Sequence, residues 1–138
     1  MRLFLDANVV FTAAHNPGGR SAAIVLLARA GACSLVTSRH ALEEARRNLR
    51  LKFPSAVDEL ERIVAAATVE PEAPASDVAW AVEQGLPLKD APLLAAAAQA
   101  RCDVLVTGDR NHFGPLFGRR FRDVEVLSPA AALARLLA

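Results

Sequence analysis

Two short apolar runs end in aspartate: Arg2-Leu3-Phe4-Leu5-Asp6-Ala7-Asn8 and Val104-Leu105-Val106-Thr107-Gly108-Asp109. A third aspartate, Asp90, opens the stretch Ala-Pro-Leu-Leu-Ala-Ala-Ala-Ala, and adjacent glutamates, Glu43 and Glu44, lie between Ser38 and Leu49. Singly, each has an ordinary role. A strand-end aspartate serves as a turn residue, Asp90 as a helix cap for first-turn N–H groups, and the glutamates as a solvated face. Together they point elsewhere, because carboxylates converging from separate elements repel one another and rise in pKa unless a cation neutralises them. An oxygen-only set, with no paired histidines and no cysteine, suits Mg²⁺ or Mn²⁺ rather than zinc. Such ions keep waters and bind phosphate oxygens, which suits phosphodiester hydrolysis.

Convergence depends on the elements that carry these groups. Leu3 to Leu5, Ser34 to Thr37, Asp103 to Thr107 and Val124 to Leu127 are short, apolar and β-rich, as buried strands are. Helix patterns lie between them: Ser21 to Gly31, Ser38 to about Lys52, a helix opened by Ser55, one from Ser76 to Gly85, one from Asp90 to Arg101, and a last one from Ser128-Pro129. The segment Pro71 to Ser76 reads as a loop. Alternating strands and helices predict a three-layer α/β/α fold with a mainly parallel sheet of four to five strands, one domain over residues 1–138. In such a fold the strand C-termini and the helix N-termini share one sheet edge, so Asp90 faces Asp6 and Asp109 there. The helix after the second strand buries Ala41, Leu42, Ala45 and Leu49. At about 100° per residue Glu43 and Glu44 flank that stripe on either side, and periodicity does not choose between them.

Composition narrows the chemistry further. Of 138 residues, 53% are hydrophobic and 22% charged, with a net charge of +1, so a strongly basic non-specific nucleic-acid binder is excluded while a local basic edge is not. Cys33 and Cys102 have no CxxC spacing and read as buried thiols of a reducing compartment. The longest apolar runs, Ala22 to Ala28 and Ala91 to Ala98, fall far short of a membrane span, and Asp6 comes too early for a signal peptide, so a cytoplasmic protein without membrane contact is expected. No Gly-rich dinucleotide fingerprint follows the first strand. His15, His40 and His112 share no ligand spacing, and only His112, close after Asp109, draws notice. Arg46, Arg47, Arg50 and Lys52, and later Arg119, Arg120 and Arg122, either track phosphates or form solvated faces. Trp80 and the phenylalanines read as packing groups, with no extensive stacking platform evident.

On these residues the sequence resembles the PIN-domain family of metal-dependent ribonucleases, especially the toxins of toxin–antitoxin pairs. The likeness runs over almost the whole chain and is carried by Asp6 with Asn8 in Leu-Phe-Leu-Asp-Ala-Asn-Val, Glu44 between Ser38 and Leu49, Asp90 in Asp-Ala-Pro-Leu-Leu-Ala-Ala-Ala, and Asp109 in Thr-Gly-Asp. The resemblance implies a quartet of Asp6, Glu44, Asp90 and Asp109 around Mg²⁺ or Mn²⁺, and it selects Glu44 over Glu43. It implies that Asn8 and Thr107 orient neighbouring carboxylates, an outer-shell role. In many relatives a further acid stands two positions after the equivalent of Asp109. Here that position is Asn111, a neutral oxygen donor, which leaves one-metal and two-metal chemistry both open. RNA as substrate, an antitoxin partner and a homodimer are the implied associations. The alternative is a catalytically weakened PIN-like module that binds RNA or protein. Haloacid-dehalogenase-like phosphatases also begin Asp-x-Asp, but Asn8 cannot supply their general acid.

Overall fold

The computed structural model describes residues 1–138. In chain order its elements are β1 (Arg2–Leu5), α1 (Ala7–His15), α2 (Arg20–Arg29), β2 (Ser34–Ser38), α3 (Arg39–Lys52), α4 (Val57–Ala65), β3 (Ala67–Glu70), α5 (Ala75–Glu83), α6 (Ala91–Gln99), β4 (Val104–Val106), α7 (Arg110–Phe113), β5 (Arg120–Phe121), β6 (Val124–Leu127) and α8 (Pro129–Leu137). The strands form one sheet of order β3-β2-β1-β4-β6-β5, parallel except for the β5–β6 pair.

Strand residues alternate between two cores, as the pleat requires. Leu3, Leu5, Leu35, Val104 and Val106 pack beneath the layer that includes α1, α2, α3 and α4. Phe4, Val36, Leu105 and Val126 point the other way, against α5 and α6 and the buried Phe113, Leu116 and Phe121. Both faces of the central strands are thus apolar, and the three-layer arrangement follows from burying them. No helix is long and apolar enough to cross a membrane.

The sheet has six strands, not four or five. The strand β3 escapes an apolar-run criterion because it is an edge strand with exposed Thr68 and Val69. The strand β5 spans only two residues and pairs antiparallel, which leaves no readable periodicity. Helix α1 is also absent from the pattern reading, since only Asp6 separates it from β1 and its first turn, Ala7 to Val10, is as β-rich as a strand end.

Several helix starts differ as well. Ser38 and Ser128 cap as expected, accepting from the N–H of Ala41 and Ala131 at 3.1 Å each. Ser21 instead lies buried inside α2, whose N-cap is Gly19. Ser55 sits in a 3₁₀ turn over Pro54–Ala56, and α4 starts at Val57. Ser76 lies within α5, which follows Pro74. In the last two cases a proline with fixed φ sets the entry to the helical segment, so no serine cap is needed. Gly31 and Gly85 do end their helices, with φ of +86° and +97°.

Candidate metal centre

The chain runs β1, β2, β3 towards one edge of the sheet and β4, β6 towards the other, so the order reverses between the neighbours β1 and β4. A crevice opens at such a switch point, beyond the strand C-termini. Asp6 follows β1 directly, and Thr107, Gly108 and Asp109 follow β4. The Asp6 N–H donates to the Val106 carbonyl at 3.0 Å, which locks the two strand ends side by side. Asp90 enters from the N-terminus of α6, and Glu44 from the middle of α3.

A cavity of about 620 Å³ occupies the crevice, and Asp6, Glu44, Asp90 and Asp109 all line it. Glu43 does not line it and is exposed, so the structure separates the two glutamates that helix periodicity left open. The stripe His40, Glu44, Asn48 and Lys52, spaced by i+4 along α3, forms one wall. Glu72, Lys89 and Phe11 also line the cavity, and sequence reading missed them. The carboxylates of Asp6, Glu44, Glu72, Asp90 and Asp109 face only Lys52 and Lys89 as permanent cations, so the cavity carries excess negative charge.

Asp6 is the most constrained of these acids. Its Oδ2 accepts from Thr107 Oγ1 at 2.7 Å and from Asn8 Nδ2 at 2.9 Å, while Oδ1 accepts from the Ala7 N–H at 2.6 Å and so caps α1. That fills both in-plane lone pairs of Oδ2 and leaves Oδ1 one to offer. Burial raises the Asp6 pKa above its ordinary value; the bonds from Thr107, Ala7 and Asn8 oppose the rise, and the nearby Glu44 charge adds to it.

Asn8 and Thr107 tie the two strand ends into a single network. Asn8 Oδ1 accepts from the Gly108 N–H at 2.8 Å, and Thr107 Oγ1 accepts from the Asp109 N–H at 3.1 Å. A Cβ on Gly108 would come within 3.2 Å of Asn8 Oδ1, so a side chain there would press on the Asn8 amide. Thr107 is fully buried. Asn111 is placed differently: it is exposed, is not a lining residue, and meets the site only through its N–H, which donates to Asp109 Oδ1 at 3.1 Å.

Asp90 stands at the N-cap of α6 but makes no side-chain capping bond. Its Oδ2 lies 2.8 Å from His112 Nδ1, which is also 3.0 Å from Asp109 Oδ2. Asp90 Oδ2 and His112 Nδ1 are nonetheless buried without an aligned hydrogen bond. Orphaned buried polar atoms are costly in a folded protein. Ligand atoms of Asp90, Asp109 and His112 all lie within 4.8 Å of one another, so this donor set fits a divalent cation. The structure adds a nitrogen to the expected oxygens and places His112, whose contact with Asp90 no local spacing announced, at the centre of the group.

Most of the arginines are engaged elsewhere. Arg46 pairs with Glu61 at 2.7 Å. Arg122 pairs with Asp77 at 2.9 Å and stacks 3.9 Å over Trp80, Arg120 reaches Glu125 at 3.5 Å, and Arg119 covers Phe121. Of the two basic clusters only Lys52 lines the cavity. Beside it is a small aromatic patch, with the rings of His15 and Phe53 stacked at 4.3 Å and 8°, Phe11 packed against both, and Lys52 Nζ 5.8 Å from the Phe11 centroid.

The molecule is a three-layer α/β domain whose switch-point crevice gathers acids from separate elements. The chain belongs to the PIN-domain family, whose model matches residues 2–111. No curated protein matches the sequence. Among solved structures, PAE2754 from Pyrobaculum aerophilum is similar, with a TM-score of 0.69 and 21% identity, covering 99% of this chain and 90% of that one. VapBC2 from Rickettsia felis, bound to a DNA fragment from its promoter, has a TM-score of 0.64 at 14% identity, covering 93% and 98%. VapC20 of Mycobacterium tuberculosis, a sarcin–ricin-loop-cleaving toxin, has a TM-score of 0.57 at 17% identity, covering 79% and 91%. At these identities the likeness is one of fold.

Proposed function

We propose that the protein is a metal-dependent endoribonuclease that hydrolyses RNA phosphodiester bonds and acts as the toxin of a toxin–antitoxin pair. The observation that carries this reading is the meeting of Asp6, Glu44, Asp90 and Asp109, from four separate elements, in one cavity at the switch point. Membership of the PIN-domain family and a fold shared with a loop-cleaving toxin support it.

In this reading Asp6, Asp90 and Asp109, with Glu44 completing the set, would hold Mg²⁺ or Mn²⁺, which when bound would supply water activation and charge neutralisation at the scissile phosphate. Asn8 and Thr107 fix the orientation of Asp6 through their bonds to its Oδ2. Lys52 and Lys89, at the cavity wall, neutralise flanking phosphates of the chain being cut. The exposed Phe53, stacked with His15, offers a face to an unpaired base, which favours single-stranded or looped RNA. An antitoxin protein would mask the acidic cavity, and a homodimer is the expected assembly of the free toxin.

The test is cleavage of a mixed-sequence single-stranded RNA by the purified protein with Mn²⁺, Mg²⁺ or EDTA, beside Asp6→Asn prepared identically. Cleavage that needs metal and is lost in the variant supports the reading. Absence of cleavage, with no metal-induced rise in melting temperature, overturns it and leaves an RNA- or protein-binding module.

A further inference from the structure

Resting on that metal-dependent reading, we propose that His112 joins the cation's coordination sphere through Nδ1, and that this nitrogen makes the site select Mn²⁺ over Mg²⁺. The local chain sets up the ligand pair. Asp109 caps α7 with one oxygen only, Oδ1 accepting from the N–H groups of Asn111 and His112 at 3.1 Å each. Its Oδ2 is left for the His112 ring one turn on, at 3.0 Å. From the opposite side α6 brings Asp90 Oδ2 to 2.8 Å from the same nitrogen.

The separations suit ligands and hydrogen bonds alike, but the alignment does not suit hydrogen bonds. Two donors at right angles around a small ion, each about 2.0–2.1 Å from it, lie about 3.0 Å apart. Both carboxylate contacts of His112 Nδ1 fall at that spacing, and no aligned hydrogen bond satisfies Nδ1 or Asp90 Oδ2, although both atoms are buried. Asp90 also leaves its helix-capping role unused. Asp109 and His112 are neighbours in one turn, but Asp90 reaches them from another element, so the full group forms only in the folded chain.

Selectivity follows from donor chemistry. Mg²⁺ is hard, holds its waters and favours oxygen, whereas imidazole nitrogen suits first-row transition ions, among which Mn²⁺ is the weakest binder. One nitrogen beside two carboxylates therefore raises affinity for Mn²⁺ without helping Mg²⁺. The other cavity acids, Asp6 and Glu44, still provide oxygen for either ion.

The experiment uses the metal alone and needs no RNA. The metal-free protein is titrated with Mn²⁺ and separately with Mg²⁺, reading free Mn²⁺ by electron paramagnetic resonance and both ions by melting temperature. Pulsed resonance on the Mn²⁺-bound protein then looks for nitrogen coupling. The wild type is expected to bind Mn²⁺ at least tenfold more tightly than Mg²⁺ and to show imidazole coupling. His112→Gln is expected to lose the coupling and about 10- to 100-fold in Mn²⁺ affinity, the range that even outer-shell substitutions cost, with its Mg²⁺ response kept. Metal binding in the wild type without nitrogen coupling, which requires no variant to fold, overturns the role of His112 and leaves the nuclease reading standing. A wild type that responds to neither ion overturns both.

Discussion

Replacing Thr107 by Val removes one hydroxyl from a fully buried position at nearly constant shape, and that hydroxyl links two site acids. It donates to Asp6 Oδ2 at 2.7 Å and accepts from the Asp109 N–H at 3.1 Å. A hydrogen bond to a charged group contributes about 1.5–3 kcal/mol, and the Asp109 N–H, only partly buried, adds little because water can replace its partner. The expected loss is about 2–3 kcal/mol at neutral pH, or roughly 6–12 °C in melting temperature for a chain of this size. The pH dependence gives the sharper check. The Thr107 bond favours ionised Asp6 and lowers its pKa, so its stabilisation is present while Asp6 is charged and is lost as pH falls through the folded Asp6 pKa. Urea unfolding of metal-free wild type and Thr107→Val at a series of pH values should show a gap that is largest near pH 7 and narrows in acid. Equal stability of the two proteins, or a gap that does not change with pH, would refute this account of how Asp6 is held.

Asp6 itself should behave as a site residue kept at a cost in stability. Its pKa is raised above the unfolded value, chiefly by burial, so its contribution is full below about pH 4 and falls as pH rises through the folded pKa. Metal-free Asp6→Asn should therefore gain in urea midpoint relative to wild type between pH 4 and pH 7, and Mn²⁺ should reverse the order by stabilising the wild type more than the variant. Phe53→Ala should leave the fold intact, since Phe53 is 43% exposed, yet weaken single-stranded RNA binding in EDTA by about 1–3 kcal/mol, roughly 5- to 150-fold in fluorescence anisotropy. Cys33 and Cys102 are buried, with thiols pushed up by burial, Cys102 to about 11, so a disulfide reagent at pH 8 should label them only as fast as the protein opens.

The sheet-edge acids were legible because parallel topology leaves little choice: once Leu3 to Leu5 and Val104 to Val106 are neighbouring strands, Asp6 and Asp109 must emerge together, and the helix that leads into Val104 begins, with Asp90, at the same edge. Glu44 was half legible. The wheel of α3 gives its buried stripe correctly, but the side of that stripe that meets the cavity depends on how α3 lies against α1, which one helix does not encode. Read backwards, the i+4 series His40, Glu44, Asn48 and Lys52 is the signal that marks the cavity wall. His112 drew notice only for standing close after Asp109; its contact with Asp90 was not legible, because α7 is a single turn with no periodicity and Asp90 arrives from another element. The aromatic patch was lost together with α1: Phe11 and His15 are i,i+4 neighbours only if Ala7–His15 is a helix, and Phe53 reaches them from the end of α3.

The switch-point cavity is the proposed seat of the cation. Crystals of the protein soaked in Mn²⁺ and measured at a wavelength where manganese scatters anomalously locate the ion without any assumption about activity. An anomalous peak is expected among Asp6, Glu44, Asp90 and Asp109, within coordination distance of at least Asp90 and Asp109. A peak elsewhere on the molecule, or an accessible cavity with none at saturating Mn²⁺, would contradict that placement of the cation.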